Sequence, residues 1–182
     1  MTHRPLPAGF YARETELVAR ELLGATLECT VRGVRCRGRI VETEAYTGED
    51  DAACHAAAGR TARTEVLYGP PGRAYVYFVY GMHWCVNAVT RRAGLPSAVL
   101  IRALEPLEGV DAMRRRRGVK RDRELTNGPA KLCEALGITG AHNGASLQTS
   151  ALRMLRGEPV EDGDVAVTRR IGISKAVEEP LR

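Results

Sequence analysis

No run of 18 apolar residues occurs in the 182-residue sequence, which excludes a helix long and apolar enough to span a bilayer. The opening residues, MTHRPLPAGFYARETELV, lack the apolar stretch of a secretion signal, so a cytoplasmic protein is expected. The five cysteines, Cys29, Cys36, Cys54, Cys85 and Cys133, include no CxxC pair and no His–Cys spacing of the zinc type. An odd, scattered set points to reduced, buried thiols rather than a disulfide framework. Repeats, low-complexity tracts and long linkers are absent as well. With 44% hydrophobic and 27% charged residues, residues 1–182 are expected to form one globular domain with a sizeable core.

Lysine is scarce. Only Lys120, Lys131 and Lys175 are lysines among 27 basic residues, and the other 24 are arginine. A GC-rich genome favours arginine codons, and arginine is also the better fork for phosphate. The net charge of +5 and isoelectric point near 9.1 suit a polyanionic partner without proving one.

Helical spacing of apolar residues in RETELVARELLG, with Gly24 as a stop, predicts a helix over 13–23. TLECTV and VRCRGRIVETEAY, joined at Arg32-Gly33, predict a β-hairpin; RAYVYFVY and HWCVNAVT, joined at Gly81-Met82, predict a second. SAVLIRALE reads as a short buried strand and DVAVTRRIGI as a late one. EGVDAMRRRRG looks helical, and NGPAKLCEALG is a helix with Pro129 in its first turn and Gly137 at its end. Strands dominate without regular βα alternation, so the class is α+β.

RIVETEAYTG sets a puzzle. Side chains alternate across a strand, and Val34, Cys36, Gly38 and Ile40 share their parity with Glu42, Glu44 and Tyr46, while Arg35, Arg37 and Arg39 occupy the other. The apolar parity therefore carries two carboxylates toward the core, unless a bulge near Val41 inverts the second half. A buried carboxylate is costly unless paired or hydrogen-bonded. It is either half of a structural ion pair, or a general base or metal ligand. At about 7 Å apart, the two also suit a glycosidase pair, so hydrolysis at a sugar carbon is a candidate. His55, among small residues in AACHAAAG, is either structural or functional. Glu42, Glu44, Cys54 and His55 fit no standard metal spacing, and neither metal nor cofactor is expected.

Tyr75, Tyr77 and Tyr80 place three of the six tyrosines in one hairpin. Aromatics favour strands, so core packing explains any one of them. Tyr80 abuts the turn, where there is little core to fill, and a projecting aromatic can wedge between base pairs. Asn87 and Arg102 sit amid apolar residues and need partners; Glu44 is a plausible one for Arg102.

Together GRIVETEAY, YVYFVYGMHWCVN, VLIRALEPLEG and NGPAKLCEALGI, in this order across nearly the whole chain, closely resemble the alkyladenine (3-methyladenine) DNA glycosylase family. The resemblance implies a single compact α+β domain with a curved, mainly antiparallel sheet, flanking helices and a projecting aromatic hairpin. It implies a monomer that excises alkylated or deaminated purines from double-stranded DNA by hydrolysing the N-glycosidic bond, initiating base excision repair. Glu44 matches the residue that deprotonates the attacking water, and Arg102 one that holds it. Tyr46, His55 and Tyr77 match residues around the flipped base, with His55 on its edge. Tyr80 matches the residue that fills the gap in the duplex, and Asn87 the amide that clashes with the 2-amino group of guanine. Ile171 matches a position whose carbonyl contacts the water. Lys131 in NGPAKLCEALGI is the one lysine in these motifs and none of the matched site residues is a lysine, so a monofunctional enzyme is expected. The Arg114, Arg115, Arg116 and Arg117 run is either a solvated helix end or a set of phosphate contacts.

Three positions depart from the family outline: Thr64 and Glu65 stand where asparagine and a basic residue are commoner, and Leu67 where methionine is usual. The chain also stops at EEPLR, where the family usually continues into a further strand. A non-catalytic damage binder is the main rival, and retention of both Glu44 and Arg102 argues against it. A carbohydrate glycosidase would suit an acidic or neutral surface better than this basic one.

Overall fold

The computed structural model describes residues 4–182. After a short turn of helix, α1 (Ala8–Tyr11), the amphipathic TELVAREL segment forms α2 (Thr15–Leu22), which buries Val18, Ala19 and Leu22. A six-stranded antiparallel sheet follows, built from β1 (Thr26–Val31), β2 (Val34–Tyr46), β3 (Ala74–Val79), β4 (His83–Val89), β5 (Ala98–Glu108) and β6 (Leu152–Leu155). Their spatial order is β3-β4-β5-β2-β1-β6. Two helices sit between β5 and β6: α3 (Val110–Arg117) and α4 (Pro129–Leu136), the latter opened by Pro129 and closed by Gly137 in the left-handed region. The α+β single domain with a curved, antiparallel sheet matches expectation.

Apolar faces of α2 and α4 pack with the sheet into the main core, which includes Leu22, Leu27, Ile40, Val86, Ile101, Leu132 and Leu136. A second, smaller cluster of Cys54, Ala56, Leu67, Tyr75, Val89 and Ala98 lies beneath the long loop between β2 and β3. The candidate site rests on that second cluster.

The expected parity of β2 holds only as far as Ile40. The β2–β5 register shifts between Ile40 and Glu42, leaving Val41 extra and half exposed, and shifts back between Glu42 and Thr43, leaving Arg102 extra on β5. Beyond the bulges Thr43, Ala45, Val99 and Ile101 take the core side: Thr43 donates to the Ala19 carbonyl of α2 at 3.0 Å, and the other three join the main core. Glu44, Tyr46, Leu100 and Arg102 are handed to the opposite face. The glutamates are thus aimed away from the main core, the inversion that a bulge near Val41 produces.

Two other expectations need correction. DVAVTRRIGI forms no strand: past a short 3-10 turn at Asp162–Asp164 it runs irregularly to the end of the chain. Its backbone groups go elsewhere, Thr168 exchanging two hydrogen bonds with Arg182, and the Ile171 N–H serving a carboxylate. SAVLIRALE is not short either, because β5 continues to Glu108, with Pro106 standing at a register shift opposite Gly38. At the second hairpin Tyr80 lies within the turn itself. Tyr80 and Gly81 both have positive φ (54° and 69°), and the Met82 N–H closes on the Val79 carbonyl, the geometry of a type I′ turn.

Candidate active site

Glu44 is fully buried, and its charge is met from three directions. The Tyr46 hydroxyl donates to Oε2 at 2.9 Å, the Ile171 N–H donates to Oε1 at 2.8 Å, and Arg102 Nη1 lies 3.2 Å from Oε1. Arg102 is shared: its Nε donates to Glu42 Oε1 at 2.9 Å, and Arg182 Nη1 donates to that same oxygen at 2.8 Å. The paired bulges cause this arrangement, since Arg102 reaches both carboxylates as the extra residue between two ladder pairs. Burial pushes the Glu42 carboxyl up, but Arg182 and Arg102 outweigh it and hold it below the usual range. Burial, and then the neighbouring Glu44 charge, pushes the Tyr46 hydroxyl far up, so it stays a proton donor at neutral pH.

Beside this cluster opens a cleft of about 790 Å³, lined by Tyr46, His55, Tyr75, Tyr77, Asn87 and Arg102 among others. Tyr75 and Tyr77 share one parity of β3 and face Asn87 and Cys85 across the ladder. His55 starts a 3-10 turn (His55–Ala58); its Nδ1 is 2.9 Å from the Tyr75 hydroxyl, and its ring meets Tyr77 edge-on at 4.5 Å. Burial and then the charge of Arg63 lower the His55 pKa, so the ring is neutral at neutral pH, with one nitrogen able to donate and the other to accept. Asn87 is buried and donates from Nδ2 to the Tyr75 carbonyl at 3.0 Å. Tyr80 stands on the rim, 82% exposed. A bulky residue held at positive φ yet given to solvent is unusual.

Arg102, Tyr46, His55, Tyr77, Asn87, Ile171 and Tyr80 therefore come together around one cleft, with Glu44 directly behind Tyr46, Arg102 and Ile171. The Ile171 position contributes its N–H to Glu44, whereas the resemblance assigned its carbonyl to the water. The arginine run lies apart, on α3 against α4. Arg114 pairs with Asp111 and Asp122, Arg116 donates to the Ala135 carbonyl and to Cys36 Sγ, and Arg117 pairs with Glu134. Of the four only Arg115 is exposed, the others being half-buried. Cys36 precedes Glu44 by eight residues on β2, a span of roughly 25 Å at about 3.3 Å per residue. Glu65, one of the departures from the family outline, pairs with Arg60 at 2.6 Å. Among the described residues no three His, Cys, Asp or Glu side chains gather to hold a metal ion, and no helix is long and apolar enough to cross a membrane.

Five participants were given no role at the site from the sequence. Tyr75 was legible from its parity with Tyr77. Arg63 and Lys175 line the cleft from loops, and the buried Asp51–Arg170 pair joins segments 119 residues apart; local patterns carry no signal for either.

Comparison with known proteins settles the family. Residues 9–182 match the family model described as methylpurine-DNA glycosylase (MPG). The chain belongs to the methylpurine-DNA glycosylase family. It is 50% identical over 178 residues to a protein of Carboxydothermus hydrogenoformans, covering 97% of this chain and 93% of that one. It is 51% identical over 180 residues to one of Myxococcus xanthus, covering 97% and 88%, and 49% identical over 178 residues to one of Methanocella arvoryzae, covering 97% and 88%. Each of the three bears the name "Putative 3-methyladenine DNA glycosylase". The enzyme class expected from the motifs is the one for which the methylpurine-DNA glycosylases are named.

Proposed function

We propose that the protein is a monofunctional, monomeric DNA glycosylase that takes an alkylated or deaminated purine out of double-stranded DNA and hydrolyses its N-glycosidic bond. The observation that carries this reading is Glu44, buried and held by Tyr46, Arg102 and the Ile171 amide, three residues that line an aromatic cleft. A carboxylate offers about four lone-pair sites. Oε1 has two donors and Oε2 one, so the attacking water donates to the remaining site on Oε2. Chemistry on a base requires extruding it from the stack, which costs a few kcal/mol and least for a damaged pair. Tyr80 fills the gap that the base leaves. Tyr46, His55 and Tyr77 receive the base, with neutral His55 reading its edge and Asn87 excluding the guanine 2-amino group. As the bond to the base lengthens, positive charge grows at C1′; Glu44 stabilises it and takes the proton of the water.

Arg102 and Glu42 set the electrostatics. Arg102 places its guanidinium 3.2 Å from Glu44, and Glu42 fixes Arg102 through Nε. Strand cleavage by a lyase route needs an amine that forms a Schiff base with the abasic sugar. Lys175 is the one lysine in the cleft lining, so borohydride trapping with lesion duplex checks monofunctionality: no covalent complex is expected, and one abolished by Lys175→Ala would replace hydrolysis with a lyase.

The deciding experiment is single-turnover release of hypoxanthine and 3-methyladenine from duplex DNA. Release by the wild type, lost in Glu44→Gln with lesion binding intact, supports the hydrolytic reading. Tight lesion binding with no release from any alkylated or deaminated duplex would make the protein a damage binder instead.

A further inference from the structure

One buried ion pair fastens the two walls of the cleft to each other. Arg170 Nη1 donates to Asp51 Oδ2 at 2.6 Å and Nη2 to Oδ1 at 2.9 Å, and both side chains are out of solvent. Asp51 organises the loop that carries His55: its carboxylate accepts from the Thr47 and Ala53 N–H groups and its carbonyl from that of Cys54. Arg170 also donates to the Ala45 carbonyl at 3.0 Å, contacts Glu179 at 3.2 Å, and lays its guanidinium 4.9 Å from the centre of the Tyr46 ring. The next residue is Ile171, whose N–H is bonded to Glu44.

The irregular segment from Val165 to the end of the chain has no strand or helix to fix its position. It is tied down near Glu44 by the Arg170 pair with the His55 loop, the Arg170 bond to the Ala45 carbonyl, the Ile171 bond, the Ala45 N–H bond to the Leu181 carbonyl, and the Arg182 bond to Glu42. Among them the Asp51–Arg170 pair is bidentate and wholly buried, the geometry that gives an ion pair directional precision.

We propose that Asp51 and Arg170 are positioning residues for base excision, holding the Ile171 amide on Glu44 and the Tyr46 ring beside it while tying the His55 loop into the same frame. This rests on the glycosylase reading above. Neither residue touches the substrate. Both act by fixing the groups that do, and a misplacement of about 1 Å at such groups costs on the order of 100-fold in rate.

The test measures single-turnover hypoxanthine release at saturating enzyme, lesion-duplex affinity in a Glu44→Gln background, and thermal unfolding. Asp51→Asn, Arg170→Lys and the charge-free pair Asp51→Leu/Arg170→Met are compared with wild type. The last variant removes both charges together, which buried pairs tolerate far better than loss of one partner. Each folded variant is expected to release base about 10- to 100-fold more slowly, with lesion affinity within about threefold of wild type. The charge-free pair should show that loss while unfolding near the wild-type temperature. Wild-type release together with undiminished rates in folded variants overturns the inference and leaves the glycosylase reading standing. So does a rate loss that merely follows the unfolded fraction, or failure of all three variants to fold, since the pair would then serve stability alone. Absence of release by the wild type itself overturns the glycosylase reading, and the inference with it.

Discussion

Two glutamates lie fully buried in the same sheet, Glu28 on β1 and Glu44 on β2, and their surroundings differ in kind. Glu28 is enclosed by two guanidinium groups, Arg37 Nε donating to Oε2 at 2.6 Å and Arg153 Nε to Oε1 at 2.9 Å. Positive charge on both flanks holds it: burial pushes its carboxyl up, and Arg153 and Arg37 pull it below the usual range. Glu44 receives one arginine, itself shared with Glu42, and two neutral donors, a phenol and a backbone amide. An aromatic cleft opens beside Glu44, whereas Glu28 is shut in by its own arginines. Burial alone therefore does not mark a reactive carboxylate. The donor set and the space next to it do, because a carboxylate locked between two guanidinium groups has neither a free lone pair nor room for a reactant.

That contrast can be broken most directly at Glu44. Glu44→Gln is expected to lower the single-turnover rate by about 10²–10⁴, the usual worth of a positioned base, while the protein still folds and binds lesion duplex. Glu28→Gln should do the reverse. It leaves the partly buried Arg37 with Glu108, 3.2 Å away, as its remaining counter-charge, which costs about 1–3 kcal/mol in urea or thermal unfolding, and the surviving folded protein should excise at the wild-type rate. A Glu28→Gln variant that is stable but slow would collapse the distinction between the two sites.

Acid sharpens the comparison further. Glu28, Glu42 and Asp51 are all held below their ordinary values, each by paired arginine against the opposing effect of burial. A depressed carboxyl pKa contributes stability that is present above the unfolded value, about 4 for Asp and Glu, and is lost as pH falls through the lower folded value. The unfolding temperature should therefore drop steeply below about pH 4, and less steeply in Glu28→Gln, in which one of the three linked protons is missing. Equal slopes in the two proteins would show that Glu28 is not a source of the pH dependence.

Much of this was legible in the sequence, for identifiable reasons. The helices and both hairpins follow from local periodicity and turn chemistry, and Glu44, Arg102 and Asn87 stood out as polar residues in apolar strands. A bulge near Val41 could be raised from the sequence but not decided, and the one at Arg102 was not readable, because register depends on two strands far apart in sequence; only the pairing shows which face receives the glutamates. Glu28 escaped notice for the converse reason. It shares the polar parity of β1 with Thr26 and Thr30, and it is buried only because Arg37 and Arg153 lie across it. DVAVTRRIGI was read as a strand from its composition, yet its backbone hydrogen bonds run to the Glu44 carboxylate and to Arg182 rather than forming a ladder with a neighbouring strand.

Tyr80 separates recognition from chemistry. Its side chain touches little of the protein, so Tyr80→Ala should leave the unfolding temperature unchanged while lowering excision from duplex by about tenfold, the scale of one lost stacking contact. Excision from a single-stranded lesion, where no partner stack needs holding open, should change less. Equal losses on both substrates would remove Tyr80 from the extrusion step.

The arginine run offers the smallest effect and a test within four consecutive residues. Arg114, Arg116 and Arg117 are committed to Asp122, the Ala135 carbonyl and Glu134, and only Arg115 is left exposed. If α3 meets the phosphate backbone, Arg115 makes the contact, and neutralising one phosphate contributes about 0.9 to the slope of log K against log salt. Arg115→Ala should flatten that slope by about one unit, with stability and the rate at saturating enzyme unchanged. Arg116→Ala should destabilise instead, since it strips the Ala135 carbonyl of its donor, and should leave the slope alone. An unchanged slope in Arg115→Ala would make the whole run a solvated helix end. Nonspecific affinity would then come from cations elsewhere, among them Arg63 and Lys175 at the cleft.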